Sequence, residues 1–64
     1  MQLRGGEILE FQINNISKRW RISKVDGNVV KIFDEEGSYI QMPYNDLERL
    51  MNETNAKIEM MPIY

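Results

Sequence analysis

The chain has 64 residues, a formal net charge of −2 at pH 7, and neither cysteine nor histidine. Disulfides, zinc sites of the Cys/His type and catalysis by cysteine or histidine are therefore excluded, and we expect no cofactor and no enzymatic activity. A chain this short forms one domain, residues 1–64, with a thin margin of stability, so we expect either a well-packed barrel or an oligomer.

Two strands are predicted in the first half of the chain. Over residues 7–13 apolar side chains alternate with polar ones, which is the period of a half-buried strand. Residues 14–18 are mostly polar and are predicted to form a loop. A second strand follows over residues 19–25, in which Trp20 and Ile22 share one face and are expected to lie in the core.

The segment Asp26-Gly27-Asn28 predicts a tight turn, because it combines glycine with residues that favour turns. Two registers are open for the hairpin around this turn. A two-residue loop places Ile22 opposite Lys31, whereas a three-residue loop places it opposite Ile32. The three-residue loop is favoured, because cross-strand partners on one face should match in polarity.

This register assigns the side chains of the hairpin to two faces and pairs Val25 with Val29. Lys24 falls on the inner face near the turn, where its stem can cover the core while its ammonium group reaches water. The other inward side chains are Trp20, Ile22, Val30 and Ile32. The outward side chains are Arg21, Ser23, Val29, Lys31 and Phe33.

A second turn and a further strand follow the hairpin. Residues 34–37, Asp-Glu-Glu-Gly, predict a solvated turn rather than a cation site, since three consecutive carboxylates cannot converge on one ion. Residues 38–42 predict a strand, which Pro43 ends because it cannot donate to a ladder. The side chains of this strand alternate between the inward Ile40 and Met42 and the outward Tyr39 and Gln41.

The C-terminal third is predicted to hold one short helix and the last strand. Asn45 and Glu48 match a capping box, in which an N-terminal residue caps the helix and a residue three positions later bonds back to it. Apolar residues at positions 47, 50 and 51 form one stripe of a helix of about two turns, which is expected to plug an open end of a barrel. Residues 57–61 are predicted to form the last strand.

The order of turns and apolar residues resembles a known fold family. KOW-type and Tudor-type small barrels have a similar order of features, which here reads Trp-Arg-Ile-x-x-Val-Asp-Gly-Asn-x-Val-x-Ile, then Asp-Glu-Glu-Gly, then Leu-x-x-Leu. The small barrel of Mu-type transposases is similar too, with a Val-Asp-Gly hairpin, Asp-Glu-x-Gly and a leucine-rich turn. The resemblance covers residues 7–61 and implies an all-β fold: a five-stranded SH3-like barrel with one short helix before the last strand. It also implies binding of a protein, a nucleic acid or a small ligand through loops and an exposed sheet face.

One cluster of basic residues is a candidate site for nucleic acid. Its members lie on and beside the predicted second and third strands and are Lys18, Arg19, Arg21, Lys24 and Lys31. Cations beside Phe33 and Tyr39 would resemble the surface of single-strand binders, in which bases stack on rings and phosphates pair with cations. The alternative is a solvated outer face whose charges discourage edge-to-edge pairing, and the acidic total of the chain favours this alternative.

A second candidate site is a surface for a partner protein. Phe33 and Tyr39 are predicted to point outward on adjacent strands, with Arg21 on the same face. The C-terminal tail is too apolar for all of its side chains to face one small core. The candidate partner-binding residues are therefore Phe33, Tyr39, Arg21, Met61, Ile63 and Tyr64. The alternative is that the tail folds over the two aromatic rings of its own chain.

These features predict a non-enzymatic protein-binding module, such as a small phage-type inhibitor or adaptor that occupies a partner surface, with a homodimer as one option. Two alternatives stay open: nucleic-acid binding through the basic strand face, and sequestration of a small nucleotide-like ligand at a subunit interface. No run of about 18 apolar residues exists, and the first residues lack the long apolar segment of a signal peptide. We therefore expect no membrane association and a cytoplasmic location.

Overall fold

The structure is a computed structural model that describes residues 3–60, apart from the side chain of Met60. Its described part contains five strands and one helix. In chain order these are β1 (Glu7–Ile13), β2 (Ile16–Asp26), β3 (Val29–Phe33), β4 (Tyr39–Pro43), α1 (Tyr44–Thr54) and β5 (Lys57–Met60). The mostly-β fold with five antiparallel strands and one short helix before the last strand is as predicted.

The five strands form one antiparallel sheet in the order β4-β3-β2-β1-β5. Strands β1 to β4 follow one another as a meander, and β5 returns to pair with β1. Within residues 3–60 β4 and β5 are the two edges and do not pair, so the predicted closure into a barrel is wrong. The helix explains why closure is not needed, because α1 packs on β1, β3 and β4 and covers the apolar face of the sheet itself.

The core lies between this apolar face and the helix. Ile22, Val30 and Ile32 are fully buried, as predicted, together with Leu9 from β1 and Leu47 from the helix. Burial of an aliphatic side chain contributes about 1.5–3 kcal/mol, so these five residues supply much of the driving force for folding. Trp20 is only half-buried, and its ring meets Phe11 edge to face with centroids 4.9 Å apart.

The connection between β1 and β2 is shorter than predicted. Asn14 and Asn15 form a two-residue loop with φ values of 52° and 65°, and Ile13 pairs directly with Ile16. Asparagine tolerates this left-handed conformation better than most residues, and two such residues in a row suit the tight hairpin turn. The predicted loop over residues 14–18 is therefore wrong, and β2 begins at Ile16.

The predicted register of the β2–β3 hairpin is correct at the end away from the turn and wrong next to the turn. Ile22 pairs with Ile32 as predicted, but Val25 pairs with Val30 rather than with Val29. The loop is only Gly27-Asn28, and a bulge between Ile22 and Lys24 absorbs the extra residue.

The bulge changes the face on which Lys24 lies. Two successive residues, Ser23 and Lys24, are exposed, and Lys24 pairs with Lys31 on the solvent side of the sheet. The inward position predicted for Lys24 is wrong, because a bulge shifts by one residue the alternation on which that prediction rested.

Helix α1 begins differently from the predicted capping box. Its N-cap is Pro43, whose side chain makes no capping bond, and the helix starts at Tyr44 rather than after Asn45. The Tyr44 N–H donates to the Asn28 carbonyl (2.6 Å), and the Tyr44 hydroxyl accepts the Leu3 N–H (2.8 Å). The bond to Asn28 satisfies the first N–H group of the helix, and the bond from Leu3 ties the Tyr44 side chain to the N-terminal segment. Strand β4 therefore runs directly into the helix without a side-chain cap.

The helix has 11 residues, one turn more than predicted, and ends at Asn55 in the left-handed conformation (φ 53°). Leu47 and Met51 are buried and Leu50 packs against the core at half-burial, so the predicted apolar stripe faces the sheet. No helix in the described part of the chain has the length and apolar character needed to cross a membrane.

Candidate partner-binding face

A row of side chains crosses the sheet on the face opposite α1, here called the outer face. Ile8 pairs with Arg21, Arg21 with Phe33, and Phe33 with Tyr39. Directly opposed residues of antiparallel strands point to the same side of the sheet, so these four side chains form one continuous row over β1 to β4. Tyr39 is 51% exposed, Arg21 is exposed, and Phe33 is half-buried.

The aromatic side chains of this row contact each other. The Phe33 and Tyr39 ring centroids are 5.6 Å apart at an interplanar angle of 58°, and Arg21 Cζ lies 5.7 Å from the Phe33 centroid. The Tyr39 hydroxyl donates a hydrogen bond of 2.8 Å to Gln41 Oε1. The outward positions predicted for Phe33 and Tyr39 are confirmed, and the contacts favour the observed placement of the two rings.

Positive charge lies beside the aromatic row. Lys24 and Lys31 are directly opposite each other, and Lys31 is opposite Gln41 on β4. Like charges in this position destabilise a sheet, by a fraction of a kcal/mol to about 1 kcal/mol. Among residues 3–60, no ion pair involves Arg21, Lys24 or Lys31. Asp26 lies on the same face one row further along, opposite Val29.

The remaining cations of the predicted nucleic-acid site are placed differently. Arg19 shares the outer face, but its guanidinium lies 3.7 Å from Glu10 and 3.8 Å from Glu59. Lys18 pairs with Phe11 and therefore points to the opposite face of the sheet. The structure thus brings Arg21, Lys24 and Lys31 together, leaves Arg19 among carboxylates and separates Lys18.

The acidic turn has a structural role. Asp34 Oδ1 accepts the N–H groups of Glu36 (2.9 Å) and Ser38 (2.8 Å), which fixes the turn before β4. Glu35 Oε2 accepts the Arg19 N–H (2.8 Å) beyond the end of β3, so a side chain continues the ladder there. In the part of the chain with described placement, no group of three or more carboxylates could hold a metal ion.

A buried carboxylate lies away from the outer face. Glu7 is 4% exposed; its Oε2 accepts the Arg4 N–H (2.8 Å) and its Oε1 accepts the Gly5 N–H (2.7 Å). Burial alone raises the pKa of Glu7, but these donors, its own N–H and the Arg4 charge outweigh it, so the pKa is below its ordinary value of 4.5. All of these partners are within residues 4–7, so Glu7 anchors the N-terminal segment rather than a ligand.

The edge of the sheet next to this row was not predicted from the sequence. The missed feature is the side of β4 that pairs with no strand of residues 3–60, because a closed barrel leaves no such edge. Pro43 at the end of a strand is a signal for it, since proline in a sheet is largely confined to edges. Also missed was the exposed tip of the β1–β2 hairpin, where Ile13 is 39% and Ile16 is 57% exposed. The predicted tail residues Met61, Ile63 and Tyr64 lie outside the described part of the chain.

Comparisons of this chain with models of protein families, with curated proteins and with solved structures found no match. The case for a functional site therefore rests on the residues of this chain. The outer face is the strongest candidate, because it combines ordered aromatic rings with cations that have no ion-pair partner among the described residues.

Proposed function

We propose that this chain is a non-enzymatic protein-binding module that uses a cationic–aromatic patch on its outer face. The patch consists of Arg21, Lys24, Lys31, Phe33 and Tyr39. The observation that carries the proposal is the Arg21–Phe33–Tyr39 row, in which Arg21 and Tyr39 are exposed, since tyrosine and arginine are enriched among the residues that dominate binding energy at protein interfaces. A stand-alone inhibitor or adaptor, including one of the phage type, would act by covering a partner surface with this patch.

The preference for a protein partner follows from the chemistry of the patch. The Phe33 and Tyr39 rings contact each other, and the Tyr39 hydroxyl donates a hydrogen bond to Gln41. The positive charge of the patch is local, because the chain as a whole carries −2. A local patch suits a protein surface with complementary acidic groups, where charge sets specificity and association rate. The SH3-like resemblance, a homodimer and the cytoplasmic location remain predictions.

Nucleic-acid binding is the second candidate, and one observation favours it. Three cations, Arg21, Lys24 and Lys31, lie beside two rings on one sheet face, which is the arrangement of stacking platforms for single strands. The split of the five predicted basic residues between two faces weakens this candidate. Nucleic-acid binding predicts an oligonucleotide affinity that falls steeply as the salt concentration rises.

Small-ligand sequestration has less support within one chain. A cavity of about 220 Å³ lies beyond the start of β5, lined by Glu10, Phe11, Gln12, Ser17, Thr54, Asn55 and Lys57. Ligand pockets are typically about 300–1,000 Å³ in volume, so this cavity is small for a nucleotide. A nucleotide site at a subunit interface stays a prediction.

The protein-binding proposal is tested by affinity capture from a nuclease-treated lysate with wild-type chain and matched variants. We expect Tyr39→Ser and Arg21→Ser to weaken binding of the captured protein by about tenfold or more, as is typical of hot-spot residues. Arg49→Ser, at an exposed position of α1, serves as the control and should bind as wild type does. Equal binding by all variants, or loss of capture on nuclease treatment, would contradict the proposal.

A further inference from the structure

The side of β4 that faces away from β3 has backbone groups whose directions can be assigned. The Asp34 N–H donates to the Ser38 carbonyl, and the Tyr44 N–H donates to the Asn28 carbonyl, at the two ends of the β3–β4 ladder. Hydrogen-bonded pairs alternate along an antiparallel ladder, so Ile40 and Met42 also direct their backbone groups toward β3. The N–H and C=O groups of Tyr39 and Gln41 therefore point outward from the edge.

Pro43 fits this assignment. It occupies the next outward-directed position of β4, where a missing N–H leaves no gap in the β3–β4 ladder. The open segment of the edge is consequently Tyr39 to Gln41, with two donors and two acceptors that have no strand partner in the described chain.

The two edges of the sheet differ in how they are protected. Natural edge strands commonly carry charged side chains that prevent pairing with other chains. Strand β5 follows this rule, because the charged residues Lys57 and Glu59 alternate with apolar residues along it. Glu59 also lies close to Arg19. Strand β4, Tyr-Ile-Gln-Met-Pro, has no charged residue, and only its last position is blocked by proline.

The side chains beside the open edge are apolar on the inner face of the sheet, whereas those on the outer face carry polar groups. On the inner face Ile40 and Met42 are half-buried and pack against the core, so an added apolar side chain would cover the remainder of their surface. On the outer face Tyr39 and Gln41 border the edge, and Lys31 lies one strand further in. Strands are about 4.8 Å apart, so an added strand would lie about 10 Å from β3, a distance that the long Lys31 side chain and a glutamate side chain can span together.

We propose that β4 accepts an extended segment of a partner protein as a sixth strand, in which acidic side chains on the outer face alternate with apolar side chains on the inner face. This inference rests on the proposed protein-binding function and specifies the kind of partner. Main-chain bonds to Tyr39 and Gln41 hold the segment, as in other complexes formed by strand addition. Lys31, which faces Lys24 and has no ion-pair partner in residues 3–60, selects for acidic side chains on the added strand.

The test uses a soluble peptide of about eight residues in which glutamate alternates with valine, titrated to about 1 mM into labelled protein and followed by NMR. We expect saturable binding, with the largest shifts at the Tyr39 and Gln41 amides. Gln41→Pro removes one outward N–H, and Gln41→Thr is the matched control that keeps it while losing the same side-chain bond to Tyr39. Gln41→Pro should weaken binding about tenfold or more relative to Gln41→Thr.

A second variant keeps the inference falsifiable if Gln41→Pro does not fold. Lys31→Glu should weaken binding of the glutamate–valine peptide and strengthen binding of a lysine–valine peptide of equal length. No binding to the wild type, or equal binding by the two Gln41 variants, overturns strand addition. A different result separates the two proposals. If Tyr39→Ser and Arg21→Ser weaken binding of a protein captured from lysate but Gln41→Pro binds it as the wild type does, strand addition fails while the proposed function stands.

Discussion

Replacement of Glu7 by glutamine is expected to destabilise the fold by about 1–3 kcal/mol at pH 7, which is a large share of the stability of a domain this small. Both carboxylate oxygens of Glu7 accept backbone N–H groups, from Arg4 and Gly5, in a buried position. Glutamine has one acceptor oxygen, and its amide NH₂ group would face the second backbone N–H, so one of the two part-buried N–H groups loses its acceptor. Urea unfolding at pH 7 measures the loss.

The same replacement should also reduce the dependence of stability on pH. Because the pKa of Glu7 is lower in the folded than in the unfolded state, its contribution is present above about pH 4.5 and is lost as pH falls through the folded pKa. The difference between wild type and Glu7→Gln should therefore shrink below about pH 4.5. The exposed Glu53→Gln is the control and should change stability by about 0.5 kcal/mol or less. A difference that stays constant down to pH 3 would show that the carboxylate is not the stabilising species.

Replacement of Leu47 by alanine is expected to remove about 2–5 kcal/mol of stability. Leu47 is fully buried in the contact between α1 and the sheet, and an 11-residue helix is not stable in water without such a contact. Since the helix covers the apolar face that a closed barrel would enclose, helix and sheet should unfold together. Within each protein, circular dichroism and Trp20 fluorescence should report the same urea midpoint as each other, and that midpoint should be lower for the variant than for the wild type.

Leu50→Ala is the matched control for this experiment. Leu50 is on the same helix and is only half-buried, so its loss should cost clearly less than the loss of Leu47. Equal effects of the two replacements, or a Leu47→Ala variant that loses the helix while the sheet stays folded, would contradict the arrangement of α1 on the sheet.

Much of the fold is predictable from local pattern, because a period of two and the apolar stripe of a helix are properties of neighbouring residues. Strand β1, the Ile22–Ile32 pair and the outward Phe33 and Tyr39 all follow from matching polarity across strands. The half of the candidate site that depends on this alternation was therefore predictable.

The remaining features depend on contacts between distant residues or on single-residue irregularities. The bulge at Ser23 reverses the face of Lys24, and polarity alone does not locate it because both neighbours tolerate exposure. The helix start at Tyr44 is set by its bonds to Leu3 and Asn28, which are far away in the sequence. The open edge of β4 was missed for the same reason, because closure of a sheet depends on how distant strands and the helix share one apolar face.

The open edge of β4 links the fold to the proposed function, and hydrogen exchange of its amides is the most direct test. An open edge predicts alternation: the Ile40 and Met42 amides, bonded to β3, should exchange at least about a hundredfold more slowly than the Tyr39 and Gln41 amides, which point outward. Slow exchange at all four amides that persists on dilution would mean that another strand of the same chain already pairs with β4, and would contradict the open sheet.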